Sequence, residues 1–213
     1  MHSEEAAMIV HRLRYIVLAV TGLVLTAGNA SAHHVMGGRM PSTFTEGLLS
    51  GLGHPVIGAD HLAFLVGLGI AVGIGGLSLL SPLLFLVAMA CGVAAHAAAI
   101  NIPGAELIVA LSVLAAGAIL ATGRLIHASW WAALFIVAGF FHGYAYGESI
   151  YGAESTPLIA YLAGLVAIQA VLTMGVALVT RTLWRSKLGP RLAGAAIGGV
   201  GFAVLIAQII PVP

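Results

Sequence analysis

Two short segments of an otherwise apolar chain carry the residue types that bind transition metals. His54-Pro55-Val56-Ile57-Gly58-Ala59-Asp60-His61 offers two imidazoles and a carboxylate, and Phe141-His142-Gly143-Tyr144-Ala145-Tyr146-Gly147-Glu148 offers a third imidazole and a second carboxylate. Inside an apolar run each such side chain is costly unless it has a partner, and a bound cation supplies one. Neutral imidazole with carboxylate suits Ni2+, Co2+ or Zn2+ better than Cu(I), which favours thiolate and thioether. On a continuous helix His54 and His61 share nearly one face and stand roughly 10 Å apart along the axis. That spacing predicts an entry ligand at the mouth and an inner ligand below it, with Pro55 suited to the first helical turn. Asp60 either touches the metal or fixes the tautomer of a ligating histidine; the plainer reading is that Asp60 and His61 only hydrogen-bond neighbouring helices.

His142 and Glu148 point about 120° apart on an ideal helix, and Gly143 and Gly147 relax that geometry by admitting a neighbour or an unwound turn. Tyr144 and Tyr146 read as residues of an interfacial belt, at least one of them. His96 ends another apolar run and either joins the same site or makes a helix–helix hydrogen bond. Met89, seven residues before it, reads as packing. His127 reads as interfacial. His33-His34 follow a leader-like segment and either collect metal at the new N-terminus or are incidental.

The elements that must position these residues follow from composition. The chain of 213 residues is 61% hydrophobic and 7% charged, with a mean hydropathy of +1.10, which predicts an all-α polytopic membrane protein rather than a soluble domain. Residues 1–32 read as a cleavable signal peptide: Arg12 and Arg14, an apolar stretch, then Ala30-Ser31-Ala32. Residues 33–213 read as one transporter domain of six transmembrane helices near 47–74, 80–99, 105–122, 129–149, 157–180 and 191–211, each around the ~20 residues a span needs. If residue 33 lies outside, alternation makes the gaps holding Arg124, Arg181, Arg185 and Lys187 cytoplasmic, with Arg191 at the edge. Glu46, Asp60, Glu106, Glu148 and Glu154 then fall in or near the outer half, and both mature termini are periplasmic. His54, His61, His96 and His142 reach that same half.

Other functions are disfavoured by what the chain holds. A formal charge of +1 with scattered basic residues gives no nucleic-acid surface. Cys91 is the single cysteine, so there is neither a disulfide framework nor a multi-thiolate zinc site. No Gly-Lys-Ser or Gly-Lys-Thr follows a glycine-rich stretch, and no Gly-x-Ser-x-Gly elbow occurs. An intramembrane zinc-dependent hydrolase, with three histidines and an acid holding the metal, remains the alternative class. A bis-histidine haem reading through His96 and His142 leaves Asp60 without a role.

His54-Pro55 with Asp60-His61, and Phe141-His142-Gly143 with Gly147-Glu148, resemble the motifs of the HupE/UreJ nickel/cobalt permeases, and the likeness in length, leader and spans covers essentially the whole mature chain. The resemblance implies a secondary transporter of the bacterial inner membrane that takes up Ni2+, with Co2+ second, and an indirect link to hydrogenase or urease maturation. It carries His54, Asp60, His61, His142 and Glu148 as site residues. It implies no cofactor beyond the transported ion, and no partner beyond lipid and that ion.

Overall fold

Thr43 starts the first helix with a reciprocal cap: its Oγ1 accepts from the Glu46 amide at 3.2 Å while Glu46 Oε2 accepts from the Thr43 amide at 3.3 Å. The structure is a computed structural model and describes residues 39–184, 186 and 188–210. The leader of residues 1–32, the His33-His34 pair, Arg185 and Lys187 lie outside the described residues. Among those described are seven α-helices: α1 Phe44–Ile57, α2 Ala59–Ile74, α3 Pro82–Ala97, α4 Ala105–Thr122, α5 Ala128–Gly147, α6 Ser155–Leu183 and α7 Leu188–Ile209, with one 3-10 turn, Glu148–Ile150, after α5. No strand occurs among them.

The segment expected as one span over 47–74 is broken. Helices α1 and α2 meet at 77°, because Gly58 takes an extended conformation (φ −70°, ψ 110°). Its amide closes α1 on the His54 carbonyl at 3.1 Å, and its own carbonyl accepts the Leu62 amide, opening α2, at 2.9 Å. Pro55 therefore sits in the last turn of a helix, not the first, where few backbone bonds remain to be lost. Helices α4 to α7 are each long and apolar enough to cross a bilayer, making four spans, or five if the bent pair is one; α3, with 16 residues, is shorter. The chain is thus a multi-pass membrane protein by the length and apolarity of its helices. Large apolar side chains on outward faces, among them Val87, Leu111, Ile136, Val171 and Phe202, are exposed, as a surface bathed in hydrocarbon requires.

Close backbone approaches at glycine fix how the helices pair. A methyl on Gly51 would strike the backbone of Tyr161 and Leu165, and one on Gly73 would strike Thr180, so α1 and then α2 run alongside α6 in the same direction. Gly139 backs Phe85 and Gly147 backs His96, making α3 and α5 parallel as well, whereas Gly117 backs Gly198 and Gly201 backs Leu114, making α4 and α7 antiparallel. Small residues let membrane helices approach this closely and gain packing where no hydrophobic force acts between them.

At the end of the molecule opposite Glu106 and Glu148, arginines serve the helix termini. The Arg181 guanidinium donates to the carbonyls of Val72, at 3.2 Å, and Leu77, and Arg191 Nε donates to the Ala121 carbonyl at 3.2 Å. Each meets the partial negative charge at a helix C-terminus, of α2 and α4 respectively.

Candidate metal site

The break at Gly58 builds the site. It turns the last turn of α1 and the first turn of α2 toward each other, so the rings of His54 and His61 lie 5.9 Å apart, centroid to centroid. They are therefore neighbours, not the two stations roughly 10 Å apart that a straight helix would give. A Cβ on Gly58 would come within 2.6 Å of His61 Cδ2, so any larger residue at the corner displaces that ring. Asp60, mostly buried, occupies the first turn of α2, where its Oδ1 accepts the His61 amide at 2.9 Å and its charge suits a helix N-terminus.

Hydrogen bonds then set the tautomers. Ser112 of α4 donates its hydroxyl proton to the Val109 carbonyl at 2.7 Å, so its oxygen accepts from His142 Nε2–H at 3.0 Å. Neutral His142 is left with Nδ1 as an acceptor, and His61 supplies Nδ1–H to it at 2.9 Å. In neutral His61 the lone pair then lies on Nε2. The same logic holds for His54: Tyr161 donates to the Tyr146 carbonyl at 2.8 Å, so its oxygen, with Ser149 Oγ, accepts from His54 Nδ1–H at 2.9 and 3.0 Å. Both imidazoles are thus oriented through Nδ1, held by hydrogen bonds of the kind by which neighbouring groups fix a histidine's tautomer and ring direction. The fully buried Tyr146 ring packs against both, 5.0 Å from His54 and 4.3 Å from His61.

A cavity of about 40 Å3, room for about one water, opens beside these rings and is lined by His54, Asp60, His61, Glu148 and Ser149, with Glu106 of α4 and Gln208 of α7. Three carboxylates and two imidazoles share its wall with no lysine or arginine, a field that draws cations. Gln208 Nε2 donates to Glu106 Oε2 at 2.6 Å, tying the outer ends of α4 and α7 across it. Among the described residues no group of three or more His, Cys, Asp or Glu side chains is already closed around a metal position. The donors ring a cavity instead of forming a finished coordination shell.

The residues singled out by sequence are therefore distributed unevenly. His54, Asp60, His61 and Glu148 face one cavity, and His142 stands behind His61, fully buried against Phe64 at 4.7 Å and Phe85 at 5.8 Å. His96 is not brought there: its ring packs on Tyr144 at 4.6 Å and Tyr151 at 5.6 Å. Neither tyrosine of the second motif is a belt residue, for Tyr146 is buried in the site and Tyr144 donates to the Ile100 carbonyl at 2.7 Å and accepts the Ile102 amide at 2.9 Å. Glu106, Gln208, Ser112 and Tyr161 are added by the structure. For Glu106 the signal was present, since charge alternation already put it at the same depth as Asp60 and Glu148.

A family model described as HupE / UreJ protein matches residues 21–204. The chain belongs to the HupE/UreJ family. Among its relatives is Protein HupE of Rhizobium leguminosarum bv. viciae, 28% identical over 165 residues, which span 76% of this chain and 85% of that one. No solved structure matches the chain. In this HupE/UreJ chain the two donor-bearing segments, 54–61 and 141–148, fall inside the matched region.

Proposed function

We propose that this chain is a secondary permease that carries a divalent transition-metal ion, Ni2+ foremost and Co2+ second, from the periplasm to the cytoplasm across the inner membrane. The observation that carries the reading is the convergence of His54, Asp60 and His61, from the two arms of the bent pair, with Glu148 from a distant part of the chain on one small anionic cavity. Imidazole Nε2 and carboxylate oxygen are the donors that replace water around such ions. His142 supports His61 by accepting its Nδ1 proton, and Glu106 adds a third carboxylate at the mouth. Ion capture, stepwise dehydration onto these donors and release after a conformational change complete the cycle.

Membrane potential is a sufficient drive. Two charges moving inward gain roughly 4–5 kcal/mol per 100 mV, near three orders of magnitude in accumulation. The orientation supporting inward transport comes from Arg124, Arg181 and Arg191 at one end and Glu106, Glu148 and Glu154 at the other. The parallel and antiparallel pairings support a reading of six alternating spans in which the bent pair is one crossing and α3 another; the basic-residue bias supports both mature termini lying outside. Cleavage after Ala32 would leave His33-His34 at a new periplasmic N-terminus, as a first collector of the ion. Supply of nickel to a maturing hydrogenase or urease is the client role consistent with the family.

Cellular uptake of radiolabelled Ni2+, with Co2+, Zn2+ and Cu2+ as competitors, tests the reading when intact protein is compared with His61→Ala and Asp60→Asn at matched membrane expression. Uptake should fall to background in both variants. Equal entry of metal with and without the intact protein would overturn it.

A further inference from the structure

Most polar side chains buried in this bundle are committed, and the exceptions are few. Among the described residues the buried side-chain atoms without a hydrogen-bond partner are His96 Nδ1, the Tyr146 hydroxyl, and both the oxygen and the nitrogen of the Gln169 amide. Gln169 is 0% exposed and sits in the middle of α6, a helix apolar enough to cross a bilayer. An amide enclosed in this way with neither end satisfied is expensive, and a leucine of similar size would pack there without that penalty.

Its position gives it a use. Gln169 lies one turn after Leu165, which backs Gly51 of α1, and one turn before Thr173, whose carbonyl lies 2.8 Å from where a Cβ on Gly69 of α2 would stand. It is therefore at the level where the bent pair turns, about 12 Å along α6 from Tyr161, the residue that orients His54. Gln169, Thr173 and Thr180 are all buried and fall within about 40° of one another around α6. A polar stripe thus leads from the bend toward Arg181. Thr173 is committed, donating to the backbone carbonyl of Gln169 at 2.7 Å; the Gln169 amide is not.

We propose that Gln169 is a second station for the transported cation, its amide oxygen accepting the ion that the imidazole and carboxylate donors release. The inference rests on the permease reading and adds the step inward from the cavity. A neutral amide oxygen binds a divalent cation more weakly than the imidazole and carboxylate set does, and a station beyond the capture site must hold the ion loosely enough to let it go. In the conformation seen here the amide waits unpartnered; movement of α2 along α6, which pack through Gly69 and Gly73, would open it to the ion.

The test uses the full chain in proteoliposomes with an inside-negative potential, reading the initial rate of radiolabelled Ni2+ uptake, the equilibrium Ni2+ affinity of the solubilised protein and its melting temperature. Gln169→Leu should lower the uptake rate about tenfold or more while Ni2+ affinity stays within about twofold and the melting temperature holds or rises. Gln169→Asn should recover part of the rate, and Gln169→Glu should bind Ni2+ more tightly and pass it more slowly. Gln169→Leu transporting at the intact rate overturns the station and leaves the permease standing. A rate and a melting temperature that fall together, in Gln169→Leu and Gln169→Asn alike, also overturn it, because a purely structural amide predicts that pattern. Intact protein that accumulates no Ni2+ overturns the permease reading and the station with it.

Discussion

The two ends of this bundle are built from opposite materials. At one end a cavity of about 40 Å3 is walled by three carboxylates and two imidazoles. At the other end, between the α2–α3 connection and the start of α5, a cavity of about 430 Å3 is lined by Ser78, Ser81, Ser129, Trp131 and Phe135 among others, with no acid or histidine in its wall. The first is tight and rich in donors for a divalent cation; the second is wide and offers only hydroxyls and backbone. Arg181 and Arg191, at that second end, are engaged with backbone carbonyls and hold the fold there. In the proposed permease the contrast assigns affinity to one end: the acids and imidazoles lie in the wall of the first cavity, and the wall of the second holds neither.

Substitutions can break that comparison or sharpen it. The largest effect is expected at the donors, where His61→Ala and Asp60→Asn should reduce Ni2+ uptake to background. Next comes Ser112→Ala, which removes the acceptor that fixes the tautomer of His142 and through it His61. Loss of such a supporting hydrogen bond costs about 10- to 100-fold in metal affinity or activity, read as a raised half-saturation concentration with protein levels unchanged. Gly58→Ala should act in the same direction and about tenfold, because the added methyl pushes the His61 ring while leaving the helices paired; the readout is again half-saturation. At the opposite end Arg181→Gln should lower thermal stability by about 1–2 kcal/mol, by freeing the Val72 and Leu77 carbonyls, and leave Ni2+ affinity in place. Smallest of all, Ser129→Ala should leave uptake within about twofold. If Arg181→Gln or Ser129→Ala weakened Ni2+ binding as strongly as Ser112→Ala, the assignment of affinity to one end would be broken.

The chemistry of this chain is easier to read in its sequence than its geometry. His54, Asp60, His61, His142 and Glu148 stand out because each interrupts an apolar run, and the runs themselves mark all the helices from α3 onward to within a few residues. The bend is not legible: Val56-Ile57-Gly58-Ala59 continues an apolar pattern, and Pro55 reads equally as a beginning or an end. Only packing decides it, with Gly51 pressed on Tyr161 and Gly69 on Thr173. Ser112 and Tyr161 are illegible for a different reason, since a hydroxyl within a span is usually satisfied by its own helix, and their roles depend on partners 30 and 107 residues away. His96 is at the expected depth, but the α3/α5 contact at Gly147 points its ring to Tyr144 and Tyr151.

The long reach of those contacts also sets a schedule. His61 finds His142 across 81 residues and His54 finds Tyr161 across 107. At a synthesis rate of about 5–20 residues per second, the segment carrying both histidines and Asp60 leaves the ribosome roughly 5 to 20 seconds before its last partner does. For that interval a bent and partly polar segment lacks the α6 backbone against which Gly51, Gly69 and Gly73 pack. The bend at Gly58 therefore makes the first of the described helices to be translated among the last to be fully packed, since α1 and α2 complete their contacts only when α6 arrives.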